Sequence, residues 1–136
     1  MADYGARAYD HFMMPLERLG LQTWRRQLLR QVEPPILEVG VGTGASLRWY
    51  RGQWPLVAID REGDMVRATL DRAVALGCPA MMGQMDAQYL AFPDATFASV
   101  VTYLVFCSVA DPVRGLRQIR RVLRPGGRLY MLEHIR

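Results

Sequence analysis

The stretch Ile36–Ser46, ILEVGVGTGAS, constrains this chain more than any other part of it. A short apolar run carries Glu38 near its end, and glycines follow at alternate positions: Gly40, Gly42 and Gly44. That is the pattern of a buried strand running into a turn where the backbone comes very close to something else. Glycine has no Cβ and enters φ > 0 at no steric cost, so a ligand can rest against the main chain there. A helix is expected over about 45–51, its free N–H groups turned to the same crevice. Glu38, two places before the first glycine, disfavours a phosphate and favours a cation or a hydroxyl-rich group. The loop therefore suits a nucleoside that carries positive charge and no phosphate.

The rest of the chain supplies the frame for that loop. Residues 4–31 read as helical, with Leu16, Leu19, Trp24 and Leu28 near helical spacing and arginines between them. Pro34–Pro35 stops this segment and forces an extended entry into the next. From Ile36 onward strands alternate with helices. Strands are expected at 36–39, at 56–59 ending in Asp60, and around 80–83, then in the apolar run SVVTYLVF and in RLYMLEH. Helices are expected over 64–76, with Val66, Leu70 and Val74 on one face and Gly77 as the stop, and over 112–124 before Pro125-Gly126-Gly127. Such alternation implies an α/β, Rossmann-like parallel sheet with helices on both faces. Ligands in these folds bind at the carboxyl ends of the strands.

Composition narrows the function classes. With 136 residues, 51% hydrophobic and 22% charged, one domain with a useful core is expected. That domain is 1–136, with 1–33 as a helical lid and 34–136 as the core. No apolar run approaches the ~20 residues of a membrane span, and MADYGARAYD resembles no secretory leader, so a cytoplasmic location is expected. There is no CxxC and no His/Cys cluster, so no metal is expected, and Cys78 and Cys107 read as free thiols. All 17 basic residues are arginine, and the net charge is +4. This mild excess, without interleaved aromatics, points to no nucleic acid. The N-terminal leucines, Trp24 and arginines leave contact with an anionic membrane as a minor reading beside a lid packed on the core.

Three carboxylates carry the functional argument. Glu38, Asp60 and Asp86 each end an apolar strand and are expected to project into one crevice. Asp60 lies eighteen positions past Gly42, placed to accept both hydroxyls of a ribose. Asp86 is suited to accept from an adenine amino group, and the N–H of Ala87 to pair with a ring nitrogen. The loop by itself leaves two cofactors open. Gly40, Gly42 and Ala45 also satisfy the dinucleotide pattern GxGxx[GA], so NAD and S-adenosylmethionine both remain at this point.

The other motifs decide between them. ILEVGVGTGAS, VAIDRE, MDAQYLAFPDATFASVV and LRQIRRVLRPGGRLYMLEH, in this order and spacing over residues 36–134, resemble the class I S-adenosylmethionine-dependent methyltransferases. TYLVFCSVAD with VLRPGG and LEH is most similar to the small thiol methyltransferases of that class, then to its quinone and phospholipid methyltransferases. The resemblance implies S-adenosylmethionine as cofactor and methyl transfer to a small-molecule acceptor: a thiol, a quinone-type phenol or a lipid head group. It implies that Gly40, Gly42 and Gly44 pass under the methionine part, with Asp60 on the ribose. Arg61 would then flank the adenine, and Asp86 with Ala87 would read its edge. The backbone at Thr102 and Tyr103 would accept from the amino group, and Tyr9 would close over the site. The class has seven strands, and the resemblance reaches only the fifth here. The expected sheet is 3-2-1-4-5 without the last two strands. RLYMLEH then becomes an edge that invites a homodimer, and weak activity is expected. The alternatives are a cofactor-binding module without activity and an NAD-binding oxidoreductase.

Weaker signals are read conservatively. Cys107 and Ser108 are expected to line a pocket rather than attack a substrate. His134 is expected at the surface, and Arg114, Arg117, Arg121 and Arg124 on a solvated helix face.

Overall fold

A computed structural model of the chain describes Gly20 and residues 22–133. The elements are α1 (Gln22–Leu29), β1 (Ile36–Val39), β2 (Leu56–Asp60), α2 (Gly63–Leu76), β3 (Met81–Gln84), β4 (Phe97–Tyr103), α3 (Pro112–Val122) and β5 (Leu123–Leu132). The five strands form one parallel sheet in the order β3-β2-β1-β4-β5. This is the expected Rossmann-like topology. Among the described residues, no helix is long and apolar enough to cross a membrane.

Side-chain alternation along β1 divides the core. Ile36 points to a layer with Leu29, Val32, Leu47, Tyr50, Leu56 and Ala73. Leu37 and Val39 point to the opposite layer, with Ile59, Leu90, Phe97, Ile119 and Val122. So α1 and α2 cover one face and α3 the other. The faces of a strand alternate with period 2, and an all-apolar strand flanked on both sides is buried on both.

Local chemistry explains most element ends. Gly77 closes α2 at φ +64°, in the left-handed region, with its N–H and that of Cys78 donating to Val74 O and Ala73 O. Asp111 caps α3 through the N–H of Arg114 at 3.0 Å, and Pro112 occupies the first turn. Gly127 lets β5 pass close to its neighbours: a Cβ there would stand 2.9 Å from Arg124 O and 3.1 Å from Ala98 O.

Four expectations are corrected. The helix over 45–51 is only a 3₁₀ turn, Leu47–Trp49. Gly44 and Gly52, both with positive φ, bracket a segment too short to nucleate an α-helix, and its bonds run from i to i−3. The α2 stripe is rotated: Leu70 and Val74 are 48% and 76% exposed, while Thr69 and Ala73 are buried. The hydroxyl of Thr69 donates to Gly42 O at 2.6 Å, which turns the small residues inward. In α1, Trp24 is 65% exposed and Arg25 is buried beside Leu29. The guanidinium of Arg25 lies 4.6 Å from the Tyr103 ring centroid, a cation–π contact that a buried cation can use. Finally, Arg121 is not merely solvated. It donates to Leu90 O, Phe92 O, Gln118 and Asp94 at 2.7–3.1 Å and fastens the loop before β4 to α3.

Candidate functional site

The carboxyl ends of β1, β2, β3 and β4 surround a cavity of about 190 Å³. Of the residues singled out by sequence, Gly40, Gly42, Asp60, Arg61, Asp86, Ala87 and Tyr103 line it. Glu38 and Gly44 do not line it, and Tyr9 lies outside the described residues, as does His134. Ser108 lines the cavity, whereas Cys107 is exposed and its Sγ contacts Leu104 O at 3.5 Å.

The glycine loop is fixed to β2. The N–H groups of Gly40 and Val41 both donate to Ile59 O, at 2.8 and 3.0 Å. One oxygen of Asp60 accepts the N–H of Gly42 at 3.0 Å, and the other accepts the N–H of Glu62 at 2.9 Å. Asp60 thus joins the two loops that flank the cavity, and each carboxylate oxygen keeps acceptor capacity. Asp60 can stand at the rim because the last β1–β2 pair is Val39–Ile59. One position later β1 has already left the sheet. Asp86 lies just past the end of β3, and one of its oxygens accepts the N–H of Gln88 at 2.8 Å. Among the described residues, Asp60, Glu62 and Asp86 face the cavity together with the single guanidinium of Arg61. This excess of acceptors suits a cationic, hydroxyl-bearing ligand and repels a pyrophosphate. Met65, Met85 and Val109 add apolar surface for a flat ring.

The far wall was not foreseen from sequence. After Tyr103 the chain turns out of β4 at Leu104, a non-glycine residue at φ +54°. Such a conformation costs roughly 1–2 kcal/mol and persists where surrounding structure imposes it. Here the N–H of Leu104 donates to Leu132 O at 2.8 Å. The carboxylate of Glu133 accepts the N–H groups of Val105 and Phe106 at 3.1 and 3.3 Å. Leu104 and Val105 therefore form a fixed wall of the cavity, with Val105 against Gly40. A Cβ on Gly40 would lie 2.4 Å from Val105 Cγ2. Nothing in the sequence spacing of Glu133 announces this clamp.

Glu38 requires a correction of its expected place. It is paired in the sheet with both Ala58 and Val101, and its side chain enters the α1 layer. There Ser46 Oγ donates to the carboxylate at 2.6 Å and Tyr50 Oη at 2.7 Å. Burial pushes the Glu38 carboxyl above its usual range, partly offset by these two bonds and by the charge of Arg25. Burial, with the neighbouring Glu38, also holds Tyr50 well above its ordinary value. Gly44 serves packing: a Cβ there would be 3.1 Å from both Leu47 and Thr69. Both residues shape the loop from behind instead of facing the cavity. Among the described residues, no cluster of His, Cys, Asp and Glu could hold a metal ion.

Comparison with known proteins agrees with this architecture. The profile of a family described as "Methyltransferase domain" matches residues 37–131. A phosphatidylethanolamine N-methyltransferase of Cereibacter sphaeroides is 36% identical over 101 residues, covering 73% of this chain and 50% of that protein. The ubiquinone/menaquinone biosynthesis C-methyltransferase UbiE of Cellvibrio japonicus is 36% identical over 106 residues, covering 72% of this chain and 42% of its own length. The chain thus spans about half the length of the curated relatives it matches. A solved SAM-dependent methyltransferase from Aquifex aeolicus shares the fold, with a TM-score of 0.67 at 22% identity over 72% of this chain and 55% of that one. The profile match and the strand order lead to one assignment: the chain belongs to the class I methyltransferases, whose cofactor is S-adenosylmethionine.

Proposed function

We propose that this domain holds S-adenosylmethionine in the cavity at the ends of β1–β4 and serves methyl transfer to a small-molecule acceptor. The observation that carries this reading is Asp60, positioned at the rim by the N–H groups of Gly42 and Glu62 with acceptor capacity left on both oxygens. In this reading Asp60 takes the ribose hydroxyls, and Asp86 with the Ala87 N–H takes the adenine edge. Arg61, Met65 and Met85 flank the ring, and the backbone near Tyr103 receives the amino group. Glu38 and Gly44 act indirectly, by fixing the loop.

The bound cofactor supplies a methyl group on a sulfonium, which is already an activated leaving arrangement. The protein's part is then orientation and exclusion of water, which can account for most of the rate. Leu104, Val105, Ser108 and Val109 form the wall beyond the end of β4. Among the described residues this wall carries no histidine, and the Glu133 carboxylate that holds it is occupied by the N–H groups of Val105 and Phe106. It fits an acceptor that ionises without help, such as a thiol or a quinone-type phenol, better than one that needs a strong base. A lipid amine head group is the third candidate, by similarity to the phosphatidylethanolamine enzyme.

Two further expectations stand as proposals. The N-terminal segment acts as a lid, supported by α1 packing Leu29 into the core and Arg25 against Tyr103. A second copy pairs along β5, supported by β5 being the outer strand of the described sheet. The test of the main reading is a radiolabelled methyl-transfer assay over a small thiol, a hydroxyquinol and phosphatidylethanolamine. Turnover on the thiol or the phenol that disappears with Asp60→Ala is expected. Transfer to none of the three, or transfer unaffected by that change, would refute it. Sedimentation at rising concentration tests the pairing, and a monomer throughout would dismiss it.

A further inference from the structure

A second polar cleft, outside the cofactor cavity, lies between α1 and the 3₁₀ turn. It has a volume of about 470 Å³ and is lined by Arg26, Arg30, Trp49, Arg51 and Gln53. Arg26 and Arg30 are one helical turn apart. Arg48, outside the lining itself, brings a fourth guanidinium to 4.6 Å from the Trp49 ring centroid, with that of Arg26 at 6.0 Å. Gln53 ties the two walls together: its amide donates to Leu29 O at 2.8 Å and Val32 O at 2.6 Å, and its carbonyl accepts the N–H of Arg51 at 3.2 Å. The cleft is therefore part of the folded frame.

Two observations mark it as a binding site. First, among the described residues no carboxylate lines it and none of the four arginines is in an ion pair, whereas Arg61, Arg67 and Arg121 each have an acidic partner. Cations gathered without a counter-charge repel one another and attract an anion. Second, Trp49 Nε1 is buried with no acceptor among the described residues. A buried donor left unpaired is costly, and a small turn of the Trp49 ring toward the cleft would let a ligand oxygen satisfy it. Planar guanidinium groups match the geometry of phosphate better than that of a spherical anion.

We propose that this cleft binds a phosphate group, borne by a phospholipid head group or by a soluble phosphate ester. The site is separate from the cofactor cavity and does not depend on the identity of the methyl acceptor. The whole 136-residue chain would be titrated with glycerol 3-phosphate by calorimetry. It would also be sedimented with phosphatidylcholine vesicles made with and without phosphatidylglycerol. The test variant is Arg26→Gln/Arg51→Gln. Arg117→Gln/Arg120→Gln, on the exposed side of α3, removes the same charge elsewhere. Binding is expected to fall roughly tenfold or more in the cleft variant, the loss of charge-assisted bonds, and by less than about twofold in the control. Trp49→Phe, which keeps a packed ring and removes the donor, should weaken binding as well. Affinity for S-adenosylhomocysteine should hold in both double variants, which reports an intact fold. Binding of the free ester identifies a soluble ligand, and binding only to the anionic vesicles identifies a head group. Equal losses in the cleft and control variants, or no binding of either probe by the unaltered chain, would overturn the proposal.

Discussion

Asp60 and Glu38 are two carboxylates on neighbouring parallel strands, yet they occupy opposite kinds of place. Asp60 stands one position beyond the last β1–β2 pair, at the rim of a cavity, and fastens the N–H groups of Gly42 and Glu62. Glu38 stands inside the ladder, buried under α1, and collects the hydroxyls of Ser46 and Tyr50. The difference comes from register. A side chain within a central strand points up or down into a layer, whereas one past its neighbour's end projects into the crevice. The rim carboxylate is available to a ligand. The buried one is a structural element of the loop, with its ionisation opposed by desolvation.

The largest expected effect breaks the rim. Asp60→Ala removes the carboxylate proposed to accept two cofactor hydroxyls, each such bond about 1.5–3 kcal/mol when charge-assisted. It also frees Gly42 and Glu62. Calorimetry should show S-adenosylhomocysteine affinity down at least tenfold in a chain that still folds. The next effect is on the wall. Gly40→Ala places a methyl group against Val105 at φ +70°. Both stability and affinity should fall, by roughly 1–2 kcal/mol for the backbone alone. Adding Val105→Ala should restore part of the loss in thermal denaturation, and no restoration would remove Val105 from the account.

The buried side of the comparison is probed by pH. The folded-state value of Glu38 is raised above its ordinary 4.5, so the folded chain holds this proton more tightly than the unfolded one. Its contribution is fully present below about that ordinary value and is lost as pH rises through the raised one. Denaturant unfolding should show that loss in the unaltered chain and a flatter profile in Glu38→Gln. A profile that Glu38→Gln leaves unchanged would place the carboxylate in water. The smallest effect lies away from both carboxylates. Arg121→Ala should cost about 1–3 kcal/mol in stability by releasing the loop before β4, with cofactor affinity changed by no more than about twofold if the loop acts only as support.

Much of this architecture was legible in the chain. Alternating strand and helix patterns and the stop at Gly77 announce the parallel sheet, and the family resemblance its order; Pro125-Gly126-Gly127, expected as the stop after a helix reaching 124, lies within β5 because α3 already ends at Val122. The loop glycines with Asp60 and Asp86 gave the cavity. What escaped was set by tertiary contacts. The bond from Thr69 to Gly42 O rotated α2 away from its apolar stripe. Tyr103 and Glu38 drew Arg25 into the core, where Trp24 had been expected. The facing of Glu38 followed from where β2 and β4 pair with β1, which spacing along one strand does not encode. The clamp of Glu133 on Val105 and Phe106 joins residues far apart in sequence and leaves no local pattern.

The central claim is that the acidic rim at Asp60 and Asp86 selects a cationic, phosphate-free nucleoside. It is tested most directly by calorimetric titration of the unaltered chain with S-adenosylmethionine, S-adenosylhomocysteine and NAD under one buffer. The account predicts saturable binding of the first two, lost with Asp60→Ala and retained with Arg121→Ala, and no measurable binding of NAD. Saturable NAD binding with no response to S-adenosylhomocysteine would contradict it.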